Sequence, residues 1–289
     1  MVNLFYKLLN IILFVSLVLA KRKKKDDCNT IKTYLEEVLE LDSADIINEC
    51  TINSYGSVTN LNIYDYYNSL NEEDIIKLIN YKRIKYLEIE KCEFDEKHIN
   101  LLKKHRRLNT LYLDSNNDHK IGKDTLSGFK NLKKIILDNI SISQDNIDEI
   151  GTLPKLSNVK LNFSNVTDSI DFKAIKENRR ITTLEILHIN AGVLNENFFE
   201  GFKYIKRFVL AWMDLTQDNI NDIANLIRLR EITFFECKNF DKIDLGPLRK
   251  FKYLTVFKVI GREYEPTPIM EIPEVVYSFN RLKKLKSHF

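Results

Sequence analysis

The sequence predicts an α/β solenoid, a stack of short parallel strands that are each followed by a turn and a short helix. Segments with the spacing apolar-x-x-apolar-x-apolar recur every 24–28 residues from Val58 onward. A further apolar residue stands six positions before each of these segments from the second on. The first pattern is typical of a short strand of a repeat, and a repeat at this period predicts about ten stacked units that share one core.

The strands are predicted by three apolar columns. The first column starts at Val58, and the third ends at Ser287, its single polar member. The middle column consists of Leu61, Leu87, Leu111, Ile135, Val159, Leu184, Phe208, Ile232, Phe257 and Leu285. Because alternate side chains of a strand lie on one face, the second and third columns predict a continuous buried face of one sheet.

The helices are predicted by the apolar column that precedes the strands. Its members are Leu78, Leu102, Leu126, Ile150, Ile175, Phe199, Ile223, Leu248 and Val276. Four repeats place an isoleucine three residues earlier, as at Ile147 and Ile220, which is helical spacing. Capping residues precede these helices, and we assign this role to Asn71, Asp95, Ser143 and Thr216.

These columns resemble the leucine-rich repeat family over residues 58–289. The family motif also places Asn or Cys three residues after the last strand position, where Cys92, Asn116 and Cys237 stand. The other repeats depart from it with Tyr66, Ile140, Ser164, Ile189, Met213 and Arg262. The resemblance implies a right-handed horseshoe with a concave parallel sheet, short convex helices and a non-catalytic role in recognition.

Residues 28–57 are interpreted as a cap over the first repeat, which a solenoid needs. An amphipathic helix is predicted from Ile31, Leu35, Val38, Leu39 and Leu41. The approach to the first strand resembles the caps of secreted plant-type leucine-rich repeat proteins. We predict a Cys28–Cys50 disulfide in this cap, which would contribute about 3 kcal/mol. Cys92 and Cys237 lie six strands apart and are expected to stay free and buried.

The N-terminus reads as a secretory signal over residues 1–20, followed by a basic spacer over residues 21–27. The apolar stretch from Leu8 to Ala20 is short for a membrane span, but a count from residue 4 reaches the lower limit. An uncleaved signal anchor over residues 4–20, holding a membrane-tethered scaffold for assembly or adhesion, is therefore the alternative. A secreted, extracellular protein is the first interpretation.

The charge distribution argues against a nucleic-acid partner. The chain carries 44 Lys and Arg against 41 Asp and Glu, a net of +3. Without residues 1–25 the counts become 38 and 41, a net of −3. The basic surplus therefore lies outside the repeats, and no basic face for nucleic acid is expected.

No catalytic motif or cofactor site is recognised in the sequence. The five histidines show no metal-ligand spacing with one another or with the cysteines. Phosphate-binding loops, nucleophile elbows and zinc-protease motifs are missing from the sequence. We therefore expect no enzyme, no metal and no cofactor. With 44% hydrophobic residues, the chain can bury a core rather than remain disordered.

The residues that follow each strand's core positions predict a ligand surface. One position past the third column, acidic residues in early repeats give way to apolar ones later. The predicted ligand-binding residues are Tyr112, Asp114 and Asp138 at a polar end, and Leu187, His188, Trp212 and Phe235 at an aromatic end, beside Phe163. The expected ligand is a protein, with a glycan as the second choice. The alternative is that Trp212 and Phe235 belong to the core.

Three N-glycosylation sequons follow the strands of the fourth and fifth repeats. They begin at Asn139, Asn162 and Asn165. If they are used, their glycans are expected to cover one flank of the middle repeats.

Overall fold

The computed structural model describes residues 25–92, 94–162, 170–188, 198–261 and 274–288. The strands are β1 (Ile47–Ile52), β2 (Val58–Tyr64), β3 (Tyr86–Glu90), β4 (Thr110–Lys120), β5 (Lys134–Ser141), β6 (Asn158–Asn162), β7 (Thr183–Leu187), β8 (Arg207–Ala211), β9 (Glu231–Phe235), β10 (Val256–Ile260) and β11 (Lys284–His288). They form one sheet in chain order. The signal peptide, the signal anchor and most of the basic spacer predicted for the N-terminus lie outside the described residues.

The helices lie between the strands. They are α1 (Asp27–Thr33), α2 (Ser43–Ile46), α3 (Glu72–Ile79), α4 (Glu96–Leu102), α5 (Gln144–Thr152), α6 (Lys173–Glu177) and α7 (Gln217–Ile223), with a π-helical turn over Tyr34–Val38 and 3-10 turns over Phe240–Lys242, Gly246–Lys250 and Glu274–Ser278. No helix within the described residues is long and apolar enough to span a bilayer.

The register of the sheet confirms the predicted columns. From β2 to β11 all neighbours pair in parallel, and middle-column residues stand opposite one another, as Leu61 does with Leu87. Every member of the three columns is buried from the repeat of β2 to that of β10. In β11 this burial weakens, because Leu285 is 38% exposed. The chain folds as a leucine-rich-repeat solenoid, as predicted.

The predicted helix caps are confirmed. The side chains of Asn71, Asp95, Ser143 and Thr216 accept hydrogen bonds from backbone amides of the first turn. In each case the third helical residue bonds back to the amide of the capping residue, which completes a capping box. Each box satisfies amides that would otherwise lack a partner at the helix start.

Two repeats have turns where a helix was predicted, so that part of the prediction is wrong. The column residues Leu126 and Phe199 are buried, but they lie in turns. Both turns contain a left-handed glycine, Gly128 at φ +90° and Gly201 at φ +89°, a conformation that breaks a helix. In the first turn, the Glu149 carboxylate of α5 accepts three amides instead, those of residues 124, 126 and 127, at 2.5–3.0 Å.

These two turns belong to a longer duplication within the chain. Gly128-Phe129-Lys130 recurs 73 positions later as Gly201-Phe202-Lys203, and the capped sequence that begins at Ser143 recurs at Thr216. The hydrogen bonds recur as well. The Gln144 side chain brackets the backbone of residue 171, and the Gln217 side chain brackets that of residue 244, with distances of 2.8–3.0 Å. The two copies therefore provide internally matched sites.

The N-terminal cap covers the first repeat with α1 and with β1, which pairs antiparallel to β2. The predicted Cys28–Cys50 disulfide is confirmed, with the Cα atoms 5.8 Å apart. Ile31 and Leu35 are buried as predicted, but Val38 is 63% exposed. The prediction for Val38 assumed α-helical spacing, whereas the chain follows a π-helical turn over Tyr34–Val38. Strand β1 was not predicted.

Candidate functional site

The candidate site lies where the strands end. Two residues past the third core column, five residues adopt left-handed backbone angles, with φ between +46° and +55°. We call them the strand-end row: Lys91, Asn139, His188, Trp212 and Glu236. Such angles are uncommon for residues other than glycine. Cross-strand bonds hold them here, since the amide of His188 donates to Ala211 O and that of Trp212 to Phe235 O, both at 2.9 Å.

An aromatic cluster, formed by His188, Trp212 and Phe235, occupies the ends of β7, β8 and β9. The imidazole of His188 stacks on the indole of Trp212, with ring centroids 4.3 Å apart and planes 6° from parallel. The Phe235 ring meets Trp212 edge-on at 5.0 Å. Trp212 Nε1 donates to Glu236 Oε2 at 2.9 Å. All three rings are half-buried, so the cluster is rigid and still partly open to a ligand.

Leu187, the fourth residue predicted at the aromatic end, is only 7% exposed. Its register neighbours, Asn162 on β6 and Ala211 on β8, are buried as well. A side chain covered in this way offers a ligand little area. The prediction placed Leu187 on an open surface because it follows the third core column, but its position in the row is enclosed.

A polar network occupies the equivalent positions of β3 to β6. It consists of Lys91, Asp114, Asp138, Asn139 and Asn162. Lys91 Nζ lies 2.9 Å from Asp114 Oδ2, and Asn139 Nδ2 donates to Asp114 Oδ1 at 2.7 Å. Asn162 Nδ2 donates to Asp138 Oδ1 at 2.5 Å. Asp114 is 4% exposed, so this carboxylate serves the protein's own interior rather than an open surface.

Tyr112, the third residue predicted at the polar end, is half-buried on β4. Burial raises the pKa of its hydroxyl, and the carboxylates of Asp138 and Asp114 raise it further. The phenol is therefore neutral at physiological pH and acts as a hydrogen-bond donor. The structure thus brings Tyr112, Asp114 and Asp138 together, as the sequence predicted.

The two ends are electrostatically connected through His188. Burial lowers the pKa of its imidazole, while the charges of Asp138 and Glu236 oppose that shift. The imidazole is therefore neutral near pH 7, which suits its stacking on Trp212. Acid would place a positive charge between the two carboxylates and alter the stack.

Two of the predicted sequons fall inside the polar network. The acceptor nitrogens of Asn139 and Asn162 both donate to aspartates, and Asn162 is buried. A glycan on either nitrogen would replace one of these hydrogen bonds. Glycosylation at these positions stays a prediction, and Asn165 and Phe163 lie outside the described residues.

The free cysteines serve the turns that follow the strands. Cys92 Sγ donates to the carbonyl of Glu90 at 3.2 Å, and Cys237 Sγ lies 3.5 Å from Leu210 O. Burial raises the pKa of both thiols, that of Cys237 to about 12. Thiols with such pKa values are poor nucleophiles. Within the described residues no group of three His, Cys, Asp or Glu side chains is arranged to hold a metal.

Sequence reasoning missed Lys91 and Glu236, which complete the polar network and the aromatic cluster. Both stand in the strand-end row, whose period equals that of the core columns, so the period itself was a usable signal. It also missed three tyrosines after β2. Tyr64 and Tyr66 stack at 6.5 Å, and Tyr67 meets Tyr66 edge-on at 5.4 Å.

Comparisons with known proteins give structural likeness only. No family model and no curated protein matches the sequence. An internalin from Listeria monocytogenes is 16% identical, with a TM-score of 0.46 over 88% of this chain and 73% of the internalin chain. TLR13, solved in a complex with ssRNA13, is 16% identical, with a TM-score of 0.48 over 76% of this chain and 31% of its own.

Proposed function

We propose that this protein is a non-catalytic recognition module that binds a protein ligand with the aromatic cluster. The carrying observation is the exposed, immobilised stack of His188 and Trp212 against Phe235. Tryptophan is among the residues most often found at the energetic centre of protein interfaces. Because neighbouring rings and Glu236 already hold the indole, binding would order few additional rotamers.

The concave sheet extends this surface on both sides of the cluster. Val209 and Thr233, the adjoining outward residues on β8 and β9, are half-buried and uncharged. The polar network borders the other side, and its charges are already paired. Such a layout, an apolar centre beside a polar rim, is the usual anatomy of a protein–protein interface.

We propose that this module acts outside the cell, either secreted or at the cell surface. The Cys28–Cys50 disulfide supports this location, because disulfides persist in oxidising compartments. A cap of the secreted plant type belongs to the same proposal. Expression of the full chain in a eukaryotic secretory host should release protein that begins after Ala20. Retention of the full N-terminus in a membrane pellet would instead favour the signal anchor.

Two substitutions test the ligand site. The secreted wild-type protein and its Trp212→Ala and Phe235→Ala variants are each presented to an array of purified extracellular proteins and glycans. We expect one protein to bind, and both variants to bind it at least about tenfold more weakly.

The matched control is Tyr277→Ala. Tyr277 is 77% exposed and lies in the 3-10 turn on the side away from the sheet. Its loss should leave binding unchanged. Binding of the partner by both cluster variants at wild-type strength, with unchanged thermal unfolding, would refute the site. Binding to glycans alone would refute the proposed ligand class.

A further inference from the structure

The second helix-less turn borders a cavity of about 460 Å³. Its walls include Phe202, Lys203 and Leu226, with Glu200 beside them and Lys176 reaching in from α6. Phe202 and Leu226 give the cavity an apolar wall, while the lysines and Glu200 make the rest polar. A cavity of this size accommodates a small ligand. It lies on the side away from the sheet and is separate from the aromatic cluster.

Lys176 is held in this cavity by aromatic rings. Its stem crosses Gly201 so closely that a Cβ at that glycine would lie 3.4 Å from Lys176 Cδ. Its Nζ lies 5.2 Å from the ring centre of Phe202 and 6.0 Å from that of Phe198. Within the described part of the chain, this ammonium forms neither a salt bridge nor a hydrogen bond.

The duplication supplies a lysine in the same position with a different environment. Lys103 precedes Lys176 by 73 positions and crosses Gly128 as Lys176 crosses Gly201. Lys103 Nζ, however, donates to the carbonyl of Asp124 at 2.8 Å. Thr125 stands where the second copy has Phe198. The two sites thus share a backbone but differ in whether the amine is engaged.

We propose that the cavity is a covalent capture site in which Lys176 binds small aromatic aldehydes as an imine. The neutral amine nitrogen bonds to the carbonyl carbon, and the carbonyl oxygen takes up a proton. The nitrogen then gives up its protons to solvent, the oxygen leaves as water, and a C=N bond remains. Phe202 and Leu226 would hold the ring of the aldehyde.

The electrostatics of the cavity agree with this assignment. Burial lowers the pKa of Lys176 and prevails over Asp171, Glu200 and Asp222, whose charges act in the opposite direction. Exposed Lys97 shows the contrary shift, because its hydrogen bond to Glu72 raises its pKa. A desolvated lysine beside apolar side chains is the form in which this residue reacts as a nucleophile.

The experiment is competitive labelling of the folded full-length protein. The protein is incubated at pH 7.5 with salicylaldehyde and sodium cyanoborohydride, which reduces each imine to a stable amine, and peptides are quantified by mass spectrometry. We expect Lys176 to be labelled at least about tenfold more than Lys103, as a pKa one unit lower would give.

Two further arms separate the cavity from local sequence. In 8 M urea the preference for Lys176 should vanish. In Phe198→Thr, which installs the residue of the Lys103 site, the preference should fall. Equal labelling of the two lysines in the folded protein would overturn the proposal, as would a preference that persists in urea or is unchanged by Phe198→Thr.

Discussion

The polar network and the aromatic cluster use the same backbone for opposite purposes. Lys91 and Asn139 in the one, and His188 and Trp212 in the other, share left-handed angles at the ends of parallel strands. In the polar network, the charge of Asp114 is consumed by two donors from neighbouring repeats. In the aromatic cluster, the rings contact one another and keep area open. The side chains therefore decide which end stabilises the fold and which end can bind.

The largest expected effect comes from breaking the polar network. Asp114→Ala removes a buried carboxylate and leaves Lys91 and Asn139 without their acceptor. Because an unpaired charge then stays partly buried, we expect a loss of about 3 kcal/mol in the free energy of unfolding. Urea denaturation followed by circular dichroism measures this.

Asp138→Ala is the matched control for this variant. Asp138 is half-buried and accepts a side-chain hydrogen bond from Asn162. Its loss should destabilise the protein clearly less than the loss of Asp114. Equal losses from the two variants would contradict the view that the network is centred on Asp114.

The contrast between the two ends is reversed beneath the sheet. The chain enters β7 through Asn178, whose Nδ2 donates to the carbonyls of Gly151 and Leu153 at 2.7 and 3.3 Å. The equivalent residue before β4 is His105, which is 4% exposed. Within the described residues, neither of its ring nitrogens has a partner. Most other repeats place Phe or Leu here, as at Phe129 and Leu153.

Replacement of His105 by Phe should therefore stabilise the protein by about 1–2 kcal/mol, the penalty of a buried polar group without a partner. Burial lowers the pKa of His105, and the charge of Lys82 adds to this effect. Since the folded pKa lies below the ordinary 6.5, the unfolded chain binds the proton first. Wild-type stability should thus fall as pH drops below 6.5.

His105→Phe should weaken this acid dependence, and denaturation between pH 5 and 8 compares the two proteins. A variant that is less stable than wild type at pH 7.5 would show that the imidazole is satisfied. An unchanged slope below pH 6.5 would show that His105 is not the residue that titrates.

The smallest effect is spectroscopic and concerns the aromatic cluster. Trp212 is the only tryptophan, so its fluorescence reports on the stacked His188 alone. A protonated imidazole quenches indole emission more strongly than a neutral one. Because burial lowers the pKa of His188, we expect emission to fall with a midpoint below 6.5.

His188→Gln should abolish this titration without unfolding the protein. A midpoint above 6.5 would mean that Asp138 and Glu236 outweigh burial. A titration that persists in His188→Gln would assign the signal to another group.

The repeat itself was predictable to the residue. Leu61, Leu111 and Phe208 were assigned to one column, and all three are buried in one register. The caps at Ser143 and Thr216 were predictable because they act within one turn of helix. The turns at Gly128 and Gly201 were not, since the periodic position of an apolar residue does not show whether the backbone around it is helical.

The sequence alone determined which side chains face the core, because one apolar period repeated along a stack permits a single register. Only the tertiary structure decided which strand-end residues are open. Asp114 is satisfied by Asn139, 25 positions away, and Trp212 by Glu236, 24 positions away. Both partners come from the next repeat. The burial of a strand-end residue therefore depends on the chemistry of its neighbour in the stack, which its own repeat does not contain.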